Sequence, residues 1–313
     1  MTLDPEQSAI IQQLVEAADP NAPSLWDTPP ELVNEAFKPL VAFQGPPQDA
    51  QSEDLTVNAP SGDMTLRIYR PTNGAPDNGP AVYFIHGGGW VINDIDFYDP
   101  LCRNLANDLG CVVASVDYAR APGSKFPGPV VDCWAGLQYL IAQASDIGID
   151  PSRIAIMGDS AGGNLAAAMT LKCKAEGAPA LVAQVLHVPV TDHNFETASY
   201  DRNGEGYVLI QDFMKWFWHH YLSDAADGAN PLTSPMQAED LSGLPPALIK
   251  TCEYDPLVDE GAAYAKRLQG AGVDVSYTEI SGTTHDPYLF FAALPKGAQA
   301  IEEAVGFLKE RLN

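Results

Sequence analysis

The chain has 313 residues, 46% of them hydrophobic, with 17 basic against 41 acidic side chains and a formal charge of -24. That length suits one large α/β domain with a covering segment, or two small domains, and no linker or low-complexity run divides it. A surface this acidic repels nucleic acid and anionic membrane, and no apolar run is long enough to span a bilayer.

The chain opens Met-Thr-Leu-Asp-Pro-Glu-Gln, with no basic region followed by an apolar core, so the expected location is cytoplasmic. Residues 5–18 carry Ile10, Ile11, Leu14 and Val15 at helical spacing. A loop containing Trp26 spans 20–29, and a second short helix is expected over 30–37. These helices precede every strand, so they read either as part of a cap over an active site or as a packing arm. Residues 55–58 and 64–69 alternate around Ala-Pro-Ser-Gly-Asp, which predicts an antiparallel hairpin.

Residues 81–85 read as a buried strand that runs straight into His86-Gly87-Gly88-Gly89-Trp90. Three successive glycines let the backbone come close to a substrate with its N–H groups turned inward, which suits an oxyanion hole. A helix over 98–109 and a strand over 111–116 follow, then a helix over 130–144. The strand 154–157 leads into Gly158-Asp159-Ser160-Ala161-Gly162-Gly163-Asn164 and a helix over 165–174. Strand, Gly-x-Ser-x-Gly turn and helix make a nucleophile elbow, which lifts the Ser160 hydroxyl clear of the sheet at a helix N-terminus. Alone the motif is a tight turn; paired with the glycine loop it becomes specific.

Residues 181–188 form another expected strand, and 190–244 contain none. Within that interruption the aromatic stretch 211–222 reads equally well as core or as a lid over substrate. The remaining elements are a strand over 247–252, a helix over 260–269, a strand over 273–280 and a helix over 298–312. Eight strands, the later ones alternating with helices, predict an α/β fold with a mostly parallel sheet covered on both faces. The five cysteines, Cys102, Cys111, Cys133, Cys173 and Cys252, are odd in number, lack a Cys-x-x-Cys pair and sit in apolar surroundings. They read as buried free thiols, with neither a disulfide framework nor a metal site.

A serine needs a base, and the base an orienting acid. Among six histidines only His285 lies in the loop after the last strand, at the sheet edge where ligands bind. His86 reads as an anchor of the glycine loop, and His219 and His220 as packing or surface residues. Asp255, just after the strand 247–252, is the expected acid; Asp259 and Glu260 open the next helix, and Asp192 is an earlier alternative. The triad is therefore Ser160, His285 and Asp255, with Gly88, Gly89 and Ala161 supplying oxyanion donors. The substrate pocket is expected from Trp90, Asp159, Tyr207, Phe213 and Trp216.

These motifs resemble the hormone-sensitive-lipase-like family of α/β-hydrolases, the bacterial carboxylesterases. The matching pieces are the two glycine motifs above, Asp255-Pro256-Leu257-Val258-Asp259-Glu260-Gly261 and His285, with Val116-Asp117-Tyr118, Ala121-Pro122, Phe126-Pro127, Gly206-Tyr207 and Trp216-Phe217-Trp218. The resemblance covers essentially the whole chain. It implies the α/β-hydrolase fold, with a cap built from residues 1–45 and an insertion at 190–244 on a core of 46–189 and 245–313. It also implies short- to medium-chain acyl esters as substrates, no cofactor, no metal and, in many members, a homodimer.

Two positions depart from the family pattern: Gly123 replaces the glutamate that usually follows Ala-Pro, and Asp286-Pro287 replaces the Gly-Phe that usually follows the histidine. A carboxylate beside His285 favours the imidazolium, which cannot act as base, so an activity profile displaced to alkaline pH is expected. Two other functions fit the scaffold: a non-catalytic binder of a small molecule, which would lack a working histidine, and an amidase or peptidase with the same triad.

Overall fold

The computed structural model describes residues 2–17, 19 and 21–313; Ala18, the predicted end of the first helix, and Pro20, the predicted start of the Trp26 loop, lie outside them. The expected hairpin is present and longer than its alternating cores, as β1 (Ala50–Ala59) and β2 (Gly62–Pro71). It is followed by β3 (Gly79–Ile85), β4 (Val112–Val116), β5 (Ile149–Asp159), β6 (Gln184–His187), β7 (Ala247–Tyr254) and β8 (Val275–Thr284). They form one eight-stranded sheet in the order β1-β2-β4-β3-β5-β6-β7-β8. β1 and β2 pair antiparallel, as do β2 and β4, and every later pairing is parallel.

The alternation of side chains along a strand decides which helices cover which face. On β3, Ala81, Tyr83 and Ile85 point into one apolar cluster and Val82 and Phe84 into the other; on β5, Ile154 and Ile156 oppose Ala155 and Met157. The first face is packed by α4 (Gly128–Ala142), α6 (Ala161–Glu176) and α9 (Val258–Gly270). The second is packed by α3 (Asp99–Leu109) and α10 (Pro295–Leu312). With both faces covered the central strands need no polar side, which is why they read as continuous apolar runs.

Several boundaries moved, three of them as follows. The helix expected over 130–144 breaks at Gln143, and a one-turn α5 (Ala144–Ile147) follows. β5 begins at Ile149 rather than 154, because Ile149 pairs with Gly79 before a register shift. β8 continues past 280 to Thr284, where it pairs with Tyr254 and carries the chain directly to His285.

The N-terminal helices are α1 (Pro5–Ala17) and α2 (Pro30–Phe37), and the 190–244 stretch holds α7 (Ala198–Asn203) and α8 (Gln211–Tyr221) without a strand. Of the apolar residues predicted to pack α1, Ile10 is buried and Val15 is exposed. Trp26 reaches α8 by an indole N–H donated to Asp212 Oδ1 at 2.9 Å, and the rings of Phe37 and Phe213 meet edge-on at 6.0 Å. The helix α8 divides its aromatic side chains between core and cleft. Met214, Trp216, Trp218 and Tyr221 face inward and are buried, while Phe213 and Phe217, one turn apart, line a cleft. All five cysteines are buried and unpaired. Among the described residues no helix is long and apolar enough to cross a membrane.

Candidate active site

The cleft opens at the C-terminal ends of β3, β5, β7 and β8. Ser160 sits between β5 and α6 with φ 51° and ψ -118°, a backbone conformation that an L-residue holds only where its surroundings enforce it. Those surroundings are tight. A side chain on Gly158 would strike the Gly162 carbonyl, and one on Gly162 would strike the Ile85 carbonyl, so both flanking glycines are required by contact. Ser160 N–H donates to the His187 carbonyl at 2.8 Å, and the Ser160 carbonyl accepts from Asn164 N–H at 2.9 Å. Asn164 Nδ2 in turn donates to the carbonyls of Val190 and Thr233 at 2.9 and 2.7 Å, tying the elbow to the inserted stretch.

The glycine loop lies alongside. His86 is fully buried, stacks on Tyr118 at 4.3 Å and donates from Nδ1 to the Gly87 carbonyl at 2.8 Å. Burial pushes its imidazole down to about 3, so it is neutral and serves as the loop anchor the sequence predicted. Gly88 and Gly89 have φ of 109° and 58°, and both line the cleft with Ser160. A side chain on Gly89 would overlap the Phe217 ring, which puts α8 in direct contact with the loop. Ala161 is the first residue of α6 and fully buried.

His285 completes the chain of hydrogen bonds. Its Nε2 is 3.0 Å from Ser160 Oγ, and its Nδ1 is 2.7 Å from Asp255 Oδ2. Asp255 is fully buried; its Oδ1 accepts from Leu257 N–H at 2.9 Å, and Asn203 Nδ2 donates to its carbonyl at 3.1 Å. The end of β8 before His285 is fixed by Glu253, whose Oε2 accepts from Ser281 Oγ and Gly282 N–H at 2.9 and 2.8 Å. The competing acids are occupied elsewhere. Asp259 accepts from Ser199 N–H at 2.8 Å, Glu260 from Thr191 N–H at 2.6 Å, and Asp192 from Gln237 Nε2 at 2.8 Å.

A second carboxylate reaches the same imidazole. Asp286, held at φ 55°, places Oδ2 at 3.1 Å from His285 Nε2. Burial alone would lower His285, but Asp255 and Asp286 outweigh it and hold the imidazole well above its ordinary value. Burial raises Asp286 against the opposing pull of His285.

The lining of the cleft is mostly aromatic and aliphatic, as in small-molecule sites. Of the pocket residues expected from sequence, Phe213 lines it and four do not. Trp90 is fully buried behind the glycine loop, stacked on Tyr221 at 4.2 Å. Trp216 is buried on the inward side of α8. Tyr207 packs against Tyr254 at 5.3 Å, outside the lining. Asp159 lies beneath the floor, accepting from Gly87 N–H at 3.0 Å and Tyr98 O–H at 2.5 Å. Burial, with Asp286 nearby, pushes its carboxyl up to about 8; it joins elbow to glycine loop. The lining that sequence reading missed includes Phe37, Leu40, Leu209, Phe217, Leu289 and Phe290. Only Phe217 carried a usable signal, one helical turn from Phe213.

The loop with Gly123 in place of glutamate is anchored by other means. Ala121 N–H donates to the Trp90 carbonyl at 2.9 Å, Phe126 N–H to the Tyr221 carbonyl at 2.8 Å, and Arg120 reaches the Asn93 carbonyl at 2.8 Å. Among the described residues no cluster of ligating side chains could hold a metal ion.

Residues 82–289 match a family model described as the alpha/beta hydrolase fold. The carboxylic ester hydrolase LipN of Mycobacterium tuberculosis is 38% identical over 278 residues, covering 87% of this chain and 73% of that protein. An ethyl acetate hydrolase of Pseudomonas putida is 36% identical over 87% of this chain and 86% of its own length. Among solved structures, an ester hydrolase from the metagenome of Lake Arreo, complexed with a bipyridine phosphonate derivative, superposes with a TM-score of 0.93 at 35% identity. The match covers 99% of both chains.

Proposed function

The chain belongs to the alpha/beta hydrolase fold family, and from that premise we propose that it is a serine carboxylesterase acting on short- to medium-chain acyl esters through Ser160, His285 and Asp255. The observation that carries this reading is the continuous hydrogen-bonded chain from Ser160 Oγ through His285 to Asp255, opening on an apolar cleft.

Ser160 Oγ attacks the ester carbonyl as His285 Nε2 takes its proton. Asp255 holds the Nδ1 proton and stabilises the imidazolium. The N–H groups of Gly88, Gly89 and Ala161 are the donors for the tetrahedral oxyanion, and the α6 N-terminus adds its dipole. His285 then protonates the leaving alcohol, and water repeats the sequence on the acyl-enzyme.

The cap consists of residues 1–45 and 190–244, and its contribution to substrate binding rests on Phe37, Phe213 and Phe217 lining the cleft. The edge strand β8 is the surface through which a homodimer would pair; sedimentation showing only monomer would remove that assignment.

Hydrolysis of p-nitrophenyl esters of increasing acyl length, with Ser160→Ala alongside, tests the reading. Turnover of short esters by the native protein and none by the variant supports it; inactivity of the native protein across the series refutes it.

A further inference from the structure

Asp286 is not accounted for by the triad. It is 8% exposed, lies in the cleft lining, and holds Oδ2 at 3.1 Å from His285 Nε2, the nitrogen that also faces Ser160 Oγ. Its other oxygen, Oδ1, is buried with no hydrogen-bond partner. A buried acceptor without a donor is costly, and here the cost recurs at the second oxygen during the reaction. When His285 is ready to act as base, Nε2 carries a lone pair. A carboxylate oxygen 3.1 Å away is then a second acceptor facing the first. The Ser160 hydroxyl at 3.0 Å satisfies Nε2, which leaves the Asp286 oxygen without a donor.

Beyond Ser160, His285 and Asp286, the polar side chain in the lining is Asn93, and it makes no hydrogen bond to Asp286. Phe37, Leu40, Phe213, Phe217, Leu289 and Phe290 are apolar. A substrate entering the cleft is the group that can bring a donor to that oxygen. Its position is set by the chemistry, because His285 Nε2 hands its proton to the leaving alcohol, so a carboxyl group beside Nε2 lies beside the leaving oxygen.

We infer that Asp286 is a specificity-determining residue that accepts a hydrogen bond from a hydroxyl on the leaving alcohol, one carbon removed from the carbon bearing the ester oxygen. The favoured class is monoesters of 1,2-diols and polyols. A neutral hydroxyl supplies the missing donor without carrying a second charge into an apolar cleft. The inference rests on the esterase reading above.

The test compares 2-hydroxyethyl butyrate with propyl butyrate, which differ by a hydroxyl in place of a methyl at the end of the alcohol. Both are assayed on the native protein, Asp286→Gly, Asp286→Asn and Ser160→Ala. The native kcat/KM is expected to favour the hydroxyethyl ester by about tenfold to a hundredfold, the range of a hydrogen bond to a charged acceptor. Asp286→Gly brings the ratio near one, and Asp286→Asn, whose amide oxygen still accepts, keeps part of it. Because each ratio is taken within one protein preparation, a loss of folded or active fraction cancels. A native ratio near one, or a ratio unchanged in Asp286→Gly, overturns the inference while Ser160-dependent turnover of both esters leaves the esterase reading standing. Failure of the native protein on both esters, or equal turnover by Ser160→Ala, overturns both.

Discussion

The strand ends around Ser160 and the helical layer above them are held by different forces. Below, position is imposed by backbone: a strained Ser160, glycines that admit no side chain, and buried polar atoms joined by hydrogen bonds from Gly87, Tyr98 and Leu257 to Asp159 and Asp255. Above, position is imposed by ring packing: Phe37 on Phe213, Phe213 near Phe217, and Trp218 against Trp90. A backbone-defined site tolerates almost no change at its few residues, whereas a packed aromatic layer tolerates exchange at the expense of shape. Under the proposed function, the first sets whether the reaction happens and the second which ester enters. The two meet at Gly89, whose missing side chain is the space occupied by Phe217.

If that division holds, the largest losses come from below. His285→Ala removes the base, and kcat for p-nitrophenyl butyrate should fall on the order of a millionfold, with the thermal unfolding transition retained. Asp255→Asn leaves the geometry but favours the wrong imidazole tautomer, and about 10⁴-fold in kcat is expected. A substitution in the aromatic layer with losses of that size would contradict this division.

The boundary is tested next. Gly89→Ala strikes the Phe217 ring at a residue whose φ of 58° already disfavours a side chain, so kcat should fall about a hundredfold, the scale of one lost oxyanion donor. Adding Phe217→Ala should return part of that loss by removing the clash, read as a kcat double-mutant cycle. Complete absence of rescue would place the damage in the backbone alone. Within α8, Phe213→Ala should change KM for medium-chain esters by up to about tenfold while kcat for the acetate ester holds.

The mildest effect is a displacement in pH. A group held above its ordinary pKa stays protonated to higher pH, and a protonated His285 cannot take the Ser160 proton. Asp255 and Asp286 both hold it up, so kcat/KM should rise with pH along a limb lying on the alkaline side of an ordinary histidine. Asp286→Gly removes one of the two carboxylates and should move that limb to lower pH. An unmoved limb would show that Asp286 does not act on the imidazole.

The same division explains what could be read from sequence. The elbow, the glycine loop, Asp255 and His285 were legible because each is required by a backbone constraint that leaves few residue choices, and such constraints are written locally. The eight-stranded α/β sheet was legible for a similar reason, since strands buried on both faces show as apolar runs. The pocket was not. Trp90 and Trp216 are the largest aromatics near the motifs, yet size favours deep burial, and both went inward. Phe217 was open to a helical-spacing argument from Phe213, but Leu40, Leu289 and Phe290 belong to short turns whose facing depends on the whole tertiary arrangement. Asp286 was visible as a departure from the family pattern. Its unpartnered oxygen and its contact with Nε2 could only be seen in three dimensions.

All of these effects require that Ser160 be the nucleophile of a working triad. That role is tested most directly by titrating the native protein with a p-nitrophenyl dialkyl phosphate and mapping the adduct by mass spectrometry. Release of p-nitrophenolate equal to the protein present, loss of esterase activity in the same proportion, and the added phosphoryl group on the peptide containing Ser160 are the predicted results. Esterase activity that survives complete modification of Ser160, or an inactivating adduct found on another residue, would contradict it.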